Sequence, residues 1–364
     1  MPSLVGSEMC IRDRAKTCPR RATLSPSCKP RTSTVGRMNA PLSLIDFCTR
    51  YPGESVGEAT QRSVAFAQQA EALGYSRIWY AEHHNMSSIV SSSPAVLISH
   101  IGAKTSRIRL GAGGVMLPNH SPYVIAEQFG MLEELYPGRI DLGLGRAPGT
   151  DQQTLGRALR RDPRAAENFP QDVQELQAWL SNTSPLPGVT AMPGFNTNVP
   201  LIILGSSMFG ASLAAQLGLP YAFASHFAPQ HLEQATAYYR DNYQPSERHP
   251  EPYCIAAVNV TAAETEEDAK RQTKVVHRNR VRAFMGRQGK QLSDDQLDTV
   301  VNSYQGRQII DMLRYTAEGT GEQVAEYLEA FRETAQADEL MISLQSGSHD
   351  EVSRSMEILA EAWG

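Results

Sequence analysis

The sequence predicts an α/β chain folded as a (β/α)8 TIM barrel with insertions over residues 38–364. Three observations predict it. Short apolar runs of β type alternate with helix-period stretches from Met38 onward. The alternation repeats often enough to supply eight strands and eight helices, which fits a closed barrel better than an open doubly wound sheet. The glycines and polar residues that stand out collect at the C-terminal ends of the β runs, the end at which barrel enzymes build their sites.

In chain order, Leu42 to Phe47 reads as a strand, Val56 to Leu73 as an amphipathic helix and Arg77 to Glu82 as the second strand. Pro94 to Lys104 is helical, Ile108 to Val115 strand, Pro122 to Tyr136 helix and Arg139 to Leu144 strand. Four successive βα units imply a parallel sheet wrapped by helices. The pattern resumes with the strand Leu201 to Leu204, a helix from Phe209 to Leu217, the run Tyr221 to Ala224 and a helix from Pro229 to Tyr243. Tyr253 to Thr261 and Glu339 to Leu344 supply strands seven and eight.

Two stretches are longer than ordinary connections. Ser181 to Pro200 has the Pro, Gly, Asn and Thr content of a small hairpin excursion. Val281 to Thr320 is polar and helical, and reads either as a lid over the barrel mouth or as a pair of surface helices.

The charge is divided unevenly. Of 34 Lys+Arg and 39 Asp+Glu, residues 1–37 hold eight and two, which leaves the remaining chain with 26 against 37. A body at −11 has no basic face for phosphates, so nucleic-acid binding is excluded. No window reaches the roughly 18 apolar residues of a membrane span, and mean hydropathy is −0.36. Cys48 and Cys254 are the only cysteines after residue 37, which suits a reduced, cytoplasmic compartment. Residues 1–37 are rich in Arg, Ser, Thr and Pro and are expected to be disordered. They read either as a transit peptide or, since "PSLVGSEMCIRDR" resembles translated adapter DNA, as a segment foreign to the native protein, with Met38 as its start.

Four strand ends carry the candidate chemistry. Strand two runs into Glu82, His83, His84 and Asn85, and strand three ends in Gly111, Gly113 and Gly114 before Asn119 and His120. Strand four ends in Gly143, Gly145 and Arg146, and strand five in Gly205, Ser206 and Ser207. "GSSMFG" opens a helix after a strand, so its free N–H groups and two hydroxyls form either an anion cradle or an ordinary cap. Arg146 beside it is either a phosphate fork or half of an ion pair. Because strand side chains alternate, His83 and His84 cannot both enter the mouth while the strand continues. One imidazole there can move protons near neutral pH, the other being structural. There is no GxGxxG after a strand and no GxxxxGK[ST], so neither a Rossmann site nor an NTP loop is supported.

The blocks "RIWYAEHHN", "IRLGAGGVMLPNHSPYVIAEQF", "PGRIDLGLGRAPGTD" and "GSSMFGASLAAQLGLP", in this order, resemble the bacterial luciferase-like flavin-dependent monooxygenases, in particular single-subunit bacterial members of mostly unassigned substrate. The resemblance covers essentially all of residues 38–364. It implies a barrel enzyme that takes reduced FMN, or less often a deazaflavin, from a separate flavin reductase and uses dioxygen to oxygenate a small organic substrate, as a homodimer in the cytoplasm. It assigns His83 as the catalytic imidazole and the Gly113–Gly114 bond as a cis peptide against the flavin ring. Arg146, Ser206, Ser207, Phe209 and Gly210 fall at the phosphate, and Glu127 beside the isoalloxazine. Trp79, Tyr80 and Met116 either line the apolar wall or belong to the barrel core. Gly145 stands where the luciferase α-subunit has a reactive cysteine, which removes the ground for aldehyde-dependent light emission.

Two other functions compete. One is a metal-dependent barrel hydrolase using His83, His84, His120, His226 and Glu127 or Asp46, although strand one has no HxH and strand eight, "ISLQSG", ends in no acid. No metal site is therefore expected. The other is a non-catalytic flavin-binding protein.

Overall fold

The computed structural model describes residues 39–286 and 292–364; the expectations for residues 1–37 lie outside them. The strands are β1 (Leu42–Asp46), β2 (Arg77–Tyr80), β3 (Arg109–Met116), β4 (Ile140–Gly145), β5 (Leu201–Gly205), β6 (Tyr221–Phe223), β7 (Cys254–Ala262), β8 (Thr316–Gly319) and β9 (Glu339–Leu344). They pair in the order β6-β5-β4-β3-β2-β1-β9-β7-β8, and a β6–β7 pairing closes β1–β7 and β9 into an eight-stranded barrel. Every ladder is parallel. The fold class is the one the sequence predicts.

Helices α1 (Val56–Ala72), α2 (Pro94–Gly102), α3 (Pro122–Leu135), α4 (Phe169–Leu180), α5 (Met208–Leu217) and α6 (Leu232–Asp241) follow the first six strands. The excursion after β7 contains α7 (Glu266–Gly286), α8 (Asp294–Asn302) and α9 (Tyr304–Ile310), and α10 (Gly321–Thr334) and α11 (His349–Trp363) complete the wrap. Serine or threonine hydroxyls start many of them. At α1, Ser55 Oγ accepts from the Glu58 N–H at 3.2 Å while a Glu58 carboxylate oxygen accepts from the Ser55 N–H at 2.8 Å. Such a cap contributes about 1 kcal/mol, and the same box opens α8, α10 and α11.

The interior of the barrel is built in tiers, because alternate strand residues face it. Nearest the N-terminal ends of the strands lies a charged tier: Arg77 bridges Asp141 at 2.8 Å and Glu339 at 2.8 Å, and Glu339 also accepts from Ser43 at 2.5 Å and Tyr253 at 2.7 Å. Both carboxylates are buried, a state tolerated only with such pairing. Above it Ile45, Trp79, Ile202, Ala222, Ile255, Ala257 and Met341 form an apolar plug. Outward-facing residues such as Leu44, Ile78, Tyr80 and Leu110 pack instead beneath the helices.

Several local expectations change. Strand β2 stops at Tyr80 rather than Glu82, because the next residues turn away to bond with other loops. Ser181 to Pro200 holds turns and no strand pair; its Asn and Gly residues supply bends, with Asn196 and Asn198 at positive φ. The polar excursion contains a strand, β8, that pairs with the end of β7 from Asn259 to Ala262. Its helices bury a small core of their own, Val281, Leu297 and Ile309. Part of "MGRQGKQLSDDQ", residues 287–291, on which the lid and surface-helix readings both bear, lies outside the described residues.

Candidate active site

The C-terminal rim is assembled by loops that are tied to one another. Glu82 is its hub. The side chain is buried, and it accepts from His84 Nε2 at 2.9 Å, His120 Nε2 at 2.8 Å and the Met116 N–H at 2.9 Å. Burial alone would raise its pKa, but the bonds from the two imidazoles and from Met116 outweigh that and hold it at about 2. An ionised carboxylate only accepts, so both Nε2 atoms carry protons. The segment after β4 is strapped to the same place: the His84 N–H donates to Gly149 O at 3.1 Å, Thr150 Oγ1 to His84 O at 3.1 Å and Asn119 Nδ2 to Pro148 O at 2.9 Å. This fixes the start of the loop that carries Arg146.

His83 takes the other direction. Its ring lies 5.9 Å from Phe47 at the end of β1, and Phe47 lies 6.1 Å from the ring of His226 beyond β6. Phe47 packs on the apolar plug of the barrel, so these imidazoles belong to the mouth. His83 Nδ1 is buried with no hydrogen-bond partner. Burial lowers the His83 pKa more than the neighbouring Glu82 charge restores it. Burial, with Arg280 and His83 nearby, pushes His226 down to about 3. Two neutral imidazoles therefore face the mouth at neutral pH.

Arg146 extends from the end of β4 and is exposed. Among the described residues no carboxylate pairs with it; its guanidinium instead lies 3.9 Å from the centre of the Phe209 ring. Of the two readings of Arg146, the ion pair is not formed. Next to it, Ser207 occupies the N-cap of α5, yet its side chain makes no capping bond. Unlike α2 and α3, whose uncapped starts carry Pro, α5 therefore offers N–H groups and hydroxyls that no other group among the described residues takes up. Gly210 lets α5 close on β5, since a Cβ there would stand 3.3 Å from Gly205 Cα.

The Gly113–Gly114 peptide is cis, at the point where the β3–β4 register shifts between Ala112 and Val115. No larger residue fits at Gly114, because a Cβ would meet Gly143 O at 2.7 Å. At Gly145 the space of a side chain is filled by Met116, whose Sδ would lie 2.9 Å from a Cβ.

The structure thus brings His83, Gly113, Gly114, Arg146, Ser206, Ser207, Phe209 and Gly210 to one end of the barrel. Glu127 makes no hydrogen bond or ion pair with them among the described residues; it lies in the middle of α3 beside Tyr123, whose ring packs edge-on against Trp179 of α4. Tyr80 points outward under the helices, while Trp79 belongs to the plug and packs against Gly113. Asn259 was not singled out by sequence, though an Asn within a run of β residues is unusual enough to mark it. The hydrolase set does not assemble: His84 and His120 spend their Nε2 protons on Glu82, and among the described residues no group of three or more His, Cys, Asp or Glu side chains is arranged to hold a metal ion. A cavity of about 360 Å³ bordered by Arg77, Arg109, Asp141 and Tyr253 opens at the opposite end, below the plug, away from these groups.

The family model described as "Luciferase-like monooxygenase" matches residues 44–352. A luciferase-like monooxygenase of Escherichia coli is 43% identical over 321 residues, covering 87% of this chain and 95% of its own. The uncharacterized protein YvbT of Bacillus subtilis is 43% identical over 330 residues, covering 90% and 98%. The N-acetyl-S-alkylcysteine monooxygenase of Bacillus subtilis is 31% identical over 336 residues, covering 88% and 97%. Among solved structures, apo-MsnO8 superimposes with a TM-score of 0.79 at 32% identity, over 89% of this chain and 98% of its own. An FMN complex of a type II Baeyer–Villiger monooxygenase from Pseudomonas putida (TM-score 0.66, 16% identity, 89% and 97% covered) shares the fold. So does an F420-dependent secondary alcohol dehydrogenase (0.64, 14%, 90% and 100%).

Proposed function

Because this chain belongs to the luciferase-like monooxygenase family, and so to the oxidoreductases that incorporate oxygen, we propose that it uses reduced FMN and dioxygen to oxygenate a small organic substrate. The observation that carries this is the unpaired Arg146, stacked on Phe209 beside the uncapped start of α5. A guanidinium, two hydroxyls and free helix N–H groups together suit a phosphate dianion. That set fits FMN.

Arg146, Ser206, Ser207 and the Phe209 and Gly210 backbone hold the phosphate, and the Gly113–Gly114 peptide, which has no side chain of its own and packs on Trp79, receives the ring. Bound there, reduced FMN supplies the electrons that activate dioxygen. His83 contributes proton handling at Nδ1, a buried atom with no partner in the protein. The Glu82–His84–His120 bonds hold the loop from which His83 projects. Glu127, in the outer helical layer, is left out of this set.

Family membership makes a separate reductase the donor of the reduced flavin. A homodimer is supported by Val124, Met131 and Leu135, exposed along one face of α3, with Val96 exposed on α2. The two free, buried cysteines agree with a cytoplasmic setting. No helix among the described residues is long and apolar enough to cross a membrane. The name of the 31% identical relative makes a thioether such as N-acetyl-S-methylcysteine the first substrate to try.

Anaerobic titration with reduced FMN and with reduced deazaflavin, followed by rapid mixing with dioxygen and absorbance recording, tests the reading. Tighter binding of FMN and a protein-dependent change in its oxidation are expected. Preference for the deazaflavin, or oxidation identical to that of free flavin, contradicts it.

A further inference from the structure

Beside the flavin site proposed above, on which this inference rests, the mouth holds a second set of polar atoms on the β6–β7 side. Asn259 lies on β7 in phase with Tyr253, Ile255 and Ala257, which face the barrel interior. Its Nδ2 donates to His226 O at 2.7 Å and points at Tyr315 O at 3.4 Å. Two carbonyls on one side settle which end of the amide is nitrogen. Oδ1 therefore faces the other way, and it is buried with no donor; so is His226 Nδ1. Both residues are themselves buried, at 1% and 8% exposure. Each unsatisfied buried group is a cost to the folded state that a bound partner removes. Beside them Phe47 touches His226 at 6.1 Å between ring centres, and Phe227 stacks edge-on to His226 at 4.9 Å while remaining exposed.

We propose that Asn259 and His226 form a subsite for the organic substrate that takes an amide group, the amide N–H donating to Asn259 Oδ1 and His226 Nδ1 bonding the carbonyl, with the apolar remainder against Phe47 and Phe227. Asn259 Oδ1 can only accept, so the ligand must bring a donor. The imidazole, neutral at ordinary pH, can offer one N–H to a neutral acceptor, and an amide carries both a donor and an acceptor, on adjacent groups and directed to opposite sides. A site that hydrogen-bonds an N–H rejects the analogue lacking it, because its own group is then left bare. Phe47 lies against both His226 and His83, which sets the amide next to the imidazole assigned to proton handling.

The test uses N-methylacetamide and, as a probe without an N–H, methyl acetate, added to the FMN-loaded full chain while the side-chain resonances of Asn259 and the ring nitrogens of His226 are followed by NMR. Saturable shifts with N-methylacetamide, at least about tenfold weaker with methyl acetate, are expected. His226→Phe and Asn259→Leu each weaken N-methylacetamide binding about tenfold, the effect of about 1.4 kcal/mol, and leave FMN affinity unchanged. If one variant does not fold, the other carries the comparison. Equal response to both probes, no response in the wild type, or unchanged amide binding in the variants overturns the subsite. FMN affinity, read in the same samples, separates its failure from failure of the flavin reading.

Discussion

His84 Nε2 lies 2.9 Å from Glu82 Oε1, which commits one of two adjacent imidazoles to the frame of the rim and leaves the other, His83, with Nδ1 unbonded beside Phe47. His83→Ala is expected to slow oxygenation or increase peroxide release by about 10²- to 10⁴-fold at unchanged FMN affinity. His84→Ala should lower the melting temperature and retain turnover. Stopped-flow oxidation with peroxide detection checks both; turnover lost only in a folded His84→Ala exchanges the roles of the two histidines.

Glu82→Gln removes an acceptor shared by His84, His120 and the Met116 N–H. Charged hydrogen bonds of this kind contribute about 1.5–3 kcal/mol each, so thermal unfolding should show a loss of several degrees. The pH profile carries the sign. Glu82 titrates at about 2 when folded against 4.5 as its ordinary value, so its stabilisation is complete above about pH 4.5 and is lost as pH falls through 2. The variant should lack that part of the acid transition.

His226 gives a second acid window. Its folded pKa, about 3, lies below the ordinary 6.5, so between these values the unfolded chain binds the extra proton and stability falls as pH drops. Replacement by Phe, which cannot titrate, should flatten melting temperature against pH over that interval. A profile unchanged by His226→Phe shows that the imidazole is not desolvated.

The glycines differ in what opposes a side chain. At Gly114 the obstacle is the Gly143 carbonyl at 2.7 Å, fixed backbone, whereas at Gly145 it is the end of the Met116 side chain at 2.9 Å. Gly114→Ala should therefore cost more stability than Gly145→Ala, by about 1–3 kcal/mol, in denaturant unfolding. Gly145→Cys should fold by displacing the end of the Met116 side chain.

What the sequence revealed and concealed follows from the physics of each segment. The eight barrel strands were legible because runs such as 201–205 are continuous and apolar between turn residues. β8, "TAEG", was hidden because four mixed residues have no period, and only pairing with the overhanging end of β7 makes them a strand. Arg146 and Ser207 could be singled out from their places at strand ends, whereas His83 was distinguished from His84 only by the family resemblance. Which histidine pairs with Glu82 could not be read from the chain, since His120 lies 38 positions away and meets it only after closure of the rim. Asn259 was concealed for the same reason, its partners being carbonyls of His226 and Tyr315 on other segments.

The central claim is that the guanidinium stacked on Phe209 and the start of α5 receive the phosphate of a flavin. Equilibrium binding of reduced FMN and reduced riboflavin to the wild type and to Arg146→Ala tests it most directly, because the two ligands differ only by that phosphate. A charge-assisted contact contributes about 1.5–3 kcal/mol, so the variant should bind FMN roughly tenfold to a hundredfold more weakly with riboflavin binding little changed. Equal losses for both ligands, or no loss for FMN, contradict the account.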